Sequence, residues 1–318
     1  MRWLYNTCLL LTFICKDVMA QELKQSLCFE NLFGPNVITF EKKADFAGEI
    51  VIVGFQYPGD EAENSGGIVI FSKTERLWMP AYGAIFNRYI PKDVKVDGKV
   101  LVITLEQYAT MPIRKTIKLE YEKDFDFLYK GKMPFGELRV EASSLLKKEG
   151  IKAQNVIDFN FDTAWAEGAE GTGIDESIVI KFKKPVNIGM VGVVPGLFGV
   201  PNFKDNNRVH RGKIKMQIEP PKGEEEDSSL LFSLSEEEVD MSFPNRPSCS
   251  FFDVRQTQVK ELKVQITSVY LGDKNDDAYI SEIFIFDFID PEKYKPSPED
   301  TKPEKDSEQK AKPNKGSK

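Results

Sequence analysis

The sequence predicts an all-β protein built as two β-sandwich, jelly-roll-like domains. Three observations predict it. Short runs of β-branched residues recur along the chain, turn sequences separate them, and breakers are too frequent for long helices. Eighteen prolines and 22 glycines in 318 residues put roughly one breaker at every eighth position. At about 100–200 residues per domain, this length accommodates two domains.

In the first domain, residues 21–134, strands are expected at 37–40, 49–55, 67–71, 99–105 and 115–121. The last alternates strictly, with Thr116, Lys118 and Glu120 set against Ile117, Leu119 and Tyr121, the period of a half-buried strand. Tyr57-Pro58-Gly59-Asp60, Asn64-Ser65-Gly66-Gly67 and Asp97-Gly98 lie between such runs as turns,. No pattern in this domain suggests a site.

The second domain, residues 135–290, continues with strands expected at 137–142, 177–182, 186–194, 212–219, 251–256, 261–267 and 279–288, and one helical turn at 143–148. Residues 220–248 interrupt the series with Glu224-Glu225-Glu226-Asp227 and Glu236-Glu237-Glu238, and read as a long acidic loop inserted between strands,. From 291 to 318 Lys, Glu, Asp, Ser and Pro dominate. Such a segment has too little apolar surface to offset the entropy of ordering and is expected to be a disordered tail.

Composition excludes several functions. The balance of 43 basic against 50 acidic residues, a net charge of −7, argues against nucleic-acid binding, which needs a basic face. A single histidine, His210, and four cysteines leave no material for a zinc site of several His or Cys ligands,. There is no P-loop, dinucleotide fingerprint or G-x-S-x-G elbow, and no motif fixes a pair of carboxylates for glycoside hydrolysis. A non-catalytic protein is expected.

The N-terminus reads as an export signal: Arg2, an apolar run over 4–15, then Val18-Met19-Ala20 with cleavage after Ala20,. That run is too short to span a bilayer, which needs about 20 residues. The protein is therefore expected outside the cytoplasm, secreted or in the periplasm or envelope. Removal of 1–20 takes Cys8 and Cys15 and leaves Cys28 and Cys249. In an oxidising compartment these two form either a disulfide or a pair of buried thiols, and sequence does not choose between them.

Three blocks in the second domain carry a signature. The first is Asn155-Val156-Ile157-Asp158-Phe159-Asn160-Phe161-Asp162-Thr163-Ala164-Trp165, followed by Ala166-Glu167-Gly168. The second is Pro201-Asn202-Phe203-Lys204-Asp205-Asn206-Asn207-Arg208-Val209. The third runs from Ser268-Val269-Tyr270-Leu271-Gly272-Asp273-Lys274 through Asp276-Asp277 to Ile280-Ser281-Glu282-Ile283. In this order they resemble the discoidin, or coagulation-factor type C, superfamily of galactose-binding-like β-sandwiches. Within it, residues 137–288 look most like the glycan-binding module of the translocation domain of bacterial NAD glycohydrolases.

The resemblance implies a rigid sandwich that recognises ligands with loops at one end, with Trp165 in its core. It also points to a hard-cation site, since Asp158, Asn160, Thr163 and Glu282 match the calcium-binding loop and carboxylate of some relatives. The family commonly has glycine after the first aspartate and this chain has Phe159. Structural calcium and a self-satisfied polar turn therefore both remain open, and no other cofactor is expected. For recognition, Phe198 and Phe203 can offer an apolar platform to a sugar ring. Asn206, Asn207 and Arg208 have forked donors and acceptors suited to hydroxyls or a carboxylate, and Tyr270, Asp276 and Asp277 belong to the facing loop. On this reading Arg208→Ala abolishes ligand capture without lowering the melting temperature. The expected partner is a glycan or glycoconjugate of a bacterial envelope or host. The alternative is a structural adaptor that binds envelope or host proteins through the same fold.

Overall fold

The computed structural model describes residues 37–293, except 46–48, 58–64, 74–77, 99, 108–111, 121–136, 199–202 and 220–234. The expected signal segment, Cys28 and residues 294–318 lie outside the described residues. Fourteen strands follow in chain order: β1 Val37–Asp45, β2 Glu49–Gln56, β3 Gly66–Lys73, β4 Trp78–Phe86, β5 Ile90–Asp97, β6 Val100–Gln107, β7 Ile113–Glu120, β8 Leu138–Ala142, β9 Trp165–Ala166, β10 Ser177–Pro195, β11 Asn207–Ile218, β12 Ser235–Ser242, β13 Ser250–Tyr270 and β14 Ala278–Ile289. Among the described residues the only helical elements are two 3-10 turns, Ala153–Ile157 and Phe203–Asp205.

Two sheets form. One is a large sheet in the order β1-β2-β3-β4-β14-β10-β13-β11-β12, with β8 on β10 and β9 on β14; the other is β5-β6-β7. The two halves of the chain join through a short parallel pairing of Asp287, Phe288 and Ile289 with Ala84, Ile85 and Phe86.

Among the described residues the three larger cores follow from side-chain alternation along strands buried on both faces, which is why these strands read as continuous apolar runs,. In β14, Ile283 and Ile285 face the jelly-roll interior around Trp165, Ile178, Val193 and Ile266. Its Phe284 and Phe286 face the other way. They pack with Met190 and Val194 of β10 against Val51, Val53, Phe55, Val69 and Phe71 of β2 and β3. The opposite face of those strands, Ile50, Ile52, Ile68 and Ile70, meets Val94, Leu101, Ile103 and Leu105 of the small sheet. The N-terminal half is thus a sandwich in its own right and also a cover for the jelly roll.

Several expectations change. The runs 186–194 and 177–182 form one strand, β10, with a register break around Pro185, where a missing N–H removes a ladder bond. Likewise 251–256 and 261–267 are one strand, β13. Residues 143–148 are not helical. The main chain there is tied across to Ser177 and Ala166 by Ser143 N–H and Leu146 N–H. The acidic insertion is not wholly a loop: its end, Ser235–Ser242, is the edge strand β12, where Glu236 and Glu238 pair with Lys213 and Lys215 of β11. Charge on an edge strand also blocks further pairing. Glu292, within the segment expected to be a tail, is held on the N-terminal half by Tyr89 and Lys115.

Candidate functional site

At one end of the jelly roll, buried polar side chains stitch together loops that follow different strands. Asn207 is fully buried. Its Nδ2 donates to the carbonyls of Thr172 and Asp276, and its Oδ1 accepts the Gly272 N–H at 2.7 Å. Glu167 is fully buried as well and accepts the Ala169 and Ala278 N–H groups at 2.9 and 3.2 Å. Burial pushes its carboxyl up, and these two main-chain donors oppose the shift. Gly272 is required by close approach, since a Cβ there would lie 2.6 Å from the carbonyl carbon of Asn206 and 2.7 Å from the Asp205 oxygen.

Arg208 is the hub of this end. Its Nη1 donates to Lys204 O and Asn206 O at 3.0 and 2.8 Å, Nη2 to Leu271 O at 3.1 Å, and Nε to Asn245 Oδ1 at 3.1 Å. The guanidinium lies 5.6 Å from the Phe203 ring centroid. Burial pulls its pKa down, and the charge of Asp273 works against that shift. Asp205 adds a second set of ties: its carbonyl accepts the Lys274 and Asn275 N–H groups, and its carboxylate pairs with Lys274 Nζ at 2.8 Å.

The eight residues read as glycan contacts divide accordingly. Phe203, Asn206, Asn207 and Arg208 are all buried. Arg208 is only 4 % exposed and spends its donors inside the protein, so the expectation that its removal spares stability is corrected. Phe198 is half-buried and packs in the aromatic seam, its ring 5.0 Å from that of Phe161. Tyr270 stacks on His210 at 4.4 Å and donates to Phe243 O at 3.1 Å. Asp276 is exposed and Asp277 half-buried. Sequence reasoning overlooked Leu271, which is 65 % exposed at the loop tip, and Asn245, whose loop carried no motif.

Residues 129–286 match the family model of the NAD glycohydrolase translocation F5/8 type C domain. This half of the chain is an F5/8 type C, discoidin-like domain. Three of the solved structures similar to it illustrate the likeness. One is the arabinofuranosyltransferase AftD from Mycobacteria, at 14 % identity over 47 % of this chain and 11 % of that one, TM-score 0.34. Another is the lectin binding domain of Lectinolysin complexed with Lewis b, at 13 % identity over 47 % of this chain and 91 % of that one, TM-score 0.34. The third is the CBM32 of AlyQ in complex with 4,5-unsaturated mannuronic acid, at 17 % identity over 46 % of this chain and 93 % of that one, TM-score 0.31. No curated protein matches the chain.

The four residues read as cation ligands do come together in the F5/8 type C domain. Asp158 Oδ1 and Glu282 Oε2 both accept the Asn160 N–H, at 3.0 and 3.2 Å. Thr163 Oγ1 lies 2.7 Å from Asp158 Oδ2 and 2.9 Å from the Asn160 carbonyl. Phe159, where the resemblance implies glycine, has φ +56, the left-handed backbone that favours glycine. Its ring still packs 6.2 Å from Phe284. Glu282 is fully buried and its Oε1 has no partner. Burial first, and then the Asp158 charge, push its carboxyl well above the usual range.

Among the described residues no group of three or more His, Cys, Asp or Glu gathers for a metal. A hard cation here would draw on two carboxylates, the Thr163 hydroxyl and main-chain oxygen, a donor set that suits calcium. The orphaned buried Glu282 oxygen is what such an ion would satisfy. The expected partner of Cys249 lies outside the described residues; Cys249 itself is buried in the seam. Trp165 is fully buried in the jelly-roll core, its indole N–H donating to Ser144 O at 3.0 Å.

Proposed function

We propose that this is an exported, non-catalytic carbohydrate-binding protein whose F5/8 type C domain takes a glycan on the loop end knit together by Asn207, Arg208 and Glu167. The observation that carries this reading is that knitting. Loops from separate strands are held by buried charge-assisted and amide hydrogen bonds within the protein itself. A surface fixed in advance loses little entropy on binding, which is what a weak, hydrated ligand such as a sugar demands. The match to a translocation F5/8 type C domain and the signal-like residues 1–20 support a place outside the cytoplasm. Among the described residues no helix is long and apolar enough to cross a membrane.

Contact falls to residues that reach solvent, Tyr270, Asp276 and Asp277 among the expected ones. Arg208, Asn206 and Asn207 act from below by holding the loops. Single-site affinity is expected to be low, with avidity restoring it where copies are displayed together. The test is a glycan array probed with the full chain, once with calcium and once with chelator. A defined set of hits supports the reading. A blank in both lanes from protein shown to be folded overturns it in favour of a protein-binding adaptor.

A further inference from the structure

We infer that His210 and Tyr270 form one aromatic contact for the glycan, which lays the C–H face of a pyranose ring against the pair and brings a hydroxyl to His210 Nε2. The inference rests on the carbohydrate-binding reading of this loop end. It adds to that reading the chain's single histidine, which no motif singled out.

Irregularities in two neighbouring strands place the pair. In β11 the register with β13 shifts between Val209 and Arg211, which leaves His210 out of the ladder; the step from Ser268 to Ile266 does the same to Thr267 in β13. Bulges of this kind re-aim side chains and are frequent beside functional sites. Val209 and Val269 stay with the jelly-roll core. His210 and Tyr270, the next residue in each strand, are half-buried, and their rings meet at 4.4 Å with a tilt of 39°. Phe243 pins both: its N–H donates to the His210 carbonyl at 2.9 Å and its carbonyl accepts the Tyr270 hydroxyl at 3.1 Å. Tyr270 is also the cross-strand partner of Arg208, so the pair shares a rung with the hub that holds the loops.

What the pair has left to offer suits a sugar. The Tyr270 hydroxyl is committed to Phe243, so its ring surface is what remains for a ligand. The negative face of an aromatic ring attracts the C–H groups of a pyranose. His210 Nδ1 lies 3.2 Å from Ser268 Oγ, while Nε2 has no hydrogen-bond partner among the described residues. A sugar hydroxyl both donates and accepts, so it satisfies Nε2 in either tautomer. The rim is polar as well: Arg211 stands in one cross-strand row with Ser242 and Ser268, and Arg211 and Ser242 are exposed. An aliphatic partner would strip water from these groups without replacing its hydrogen bonds, whereas the hydroxyls around a sugar's C–H face replace them.

The test uses the full, untagged chain, whose single imidazole gives one set of C–H proton resonances, and a panel of methyl pyranosides and oligosaccharides of hexoses and N-acetylhexosamines. Members that bind should shift the His210 resonances in proportion to occupancy. His210→Ala should weaken those members about ten-fold, and Tyr270→Phe, which keeps the ring, should hold affinity within about two-fold. The resonances are read on the natural protein, so the test survives a variant that fails to fold. If sugars bind while the His210 resonances stay in place, or if His210→Ala binds them as well as the natural protein does, the inference fails and the carbohydrate-binding reading stands. If folded protein binds no sugar of the panel, both fall.

Discussion

Replacing Asp287 with asparagine should stabilise the protein at neutral pH, by an amount that vanishes in mild acid. Asp287 lies in β14 opposite Ala84 of β4 and Ile188 of β10, at the place where the two halves of the chain pair. Its carboxylate accepts the Phe288 N–H at 2.8 Å, and neither strand partner carries a charge. Burial pushes its carboxyl from 3.8 up to about 6. Each pKa unit between folded and unfolded states is worth about 1.4 kcal/mol, so ionised Asp287 costs the fold up to about 3 kcal/mol. Its side chain keeps some opening to water, and about 2 kcal/mol is the figure to expect.

The sign follows from proton binding. Between about pH 4 and pH 6 the folded protein holds a proton that the unfolded chain has released, so this contribution to stability falls as pH rises and levels above 6. Asparagine keeps an oxygen for Phe288 N–H and does not ionise. Urea unfolding of both proteins at pH 4, 5, 6 and 7.5 reads the difference directly. It should be near zero at pH 4 and favour Asp287→Asn by about 2 kcal/mol at pH 7.5. A difference independent of pH, or a variant less stable than the natural protein at pH 7.5, would refute the reasoning.

Three further outcomes are expected. Arg208→Ala should lower stability by about 2–4 kcal/mol, because three carbonyls and the Asn245 amide lose a buried donor; an unchanged melting temperature would mean the guanidinium is not the hub. Millimolar calcium should raise the melting temperature of the natural protein relative to chelator and leave Glu282→Gln unmoved, whereas no shift in the natural protein would show the Asp158–Thr163 loop to be held by its own hydrogen bonds. Phe284→Ala should cost about 3–5 kcal/mol by opening a cavity in the seam, and a fragment beginning at 137 should bind a hydrophobic dye strongly, since it uncovers Phe284, Phe286 and Phe251.

Strands buried on both faces were easiest to foresee: β2, β3 and β14 are continuous apolar runs, and their limits fall within a few residues of expectation. The strands that were missed hide their pattern behind breakers or charge. In β4, Pro80 sits at the register shift opposite Phe71, and Gly83 makes room for the Phe286 ring, which a Cβ would meet at 2.5 Å. In β5, Pro91 precedes a second shift. In β12 three successive glutamates suggest a solvated loop, and only the facing Lys213 and Lys215 make them a strand. At the site the motifs were legible as blocks, but not which polar side chains turn inward. Asn207 and Arg208 have the groups of a ligand contact, and only the positions of the carbonyls around them decide that they serve the protein itself.

That inward turn links the two halves of the molecule. An F5/8 type C sandwich exposes three kinds of surface: its loop ends and the outer faces of its two sheets. Here one outer face carries Phe284, Phe286 and Phe251, and the N-terminal strands cover it with Val51, Val53, Phe55 and Phe71. Part of the other carries Lys213, Lys215, Glu238 and Lys181 with their ion pairs, exposed pairs that contribute little binding energy. The first half, in which no site was found, removes the apolar face from competition for partners. Recognition is therefore proposed at the loop end, whose shape Asn207 and Arg208 fix from beneath.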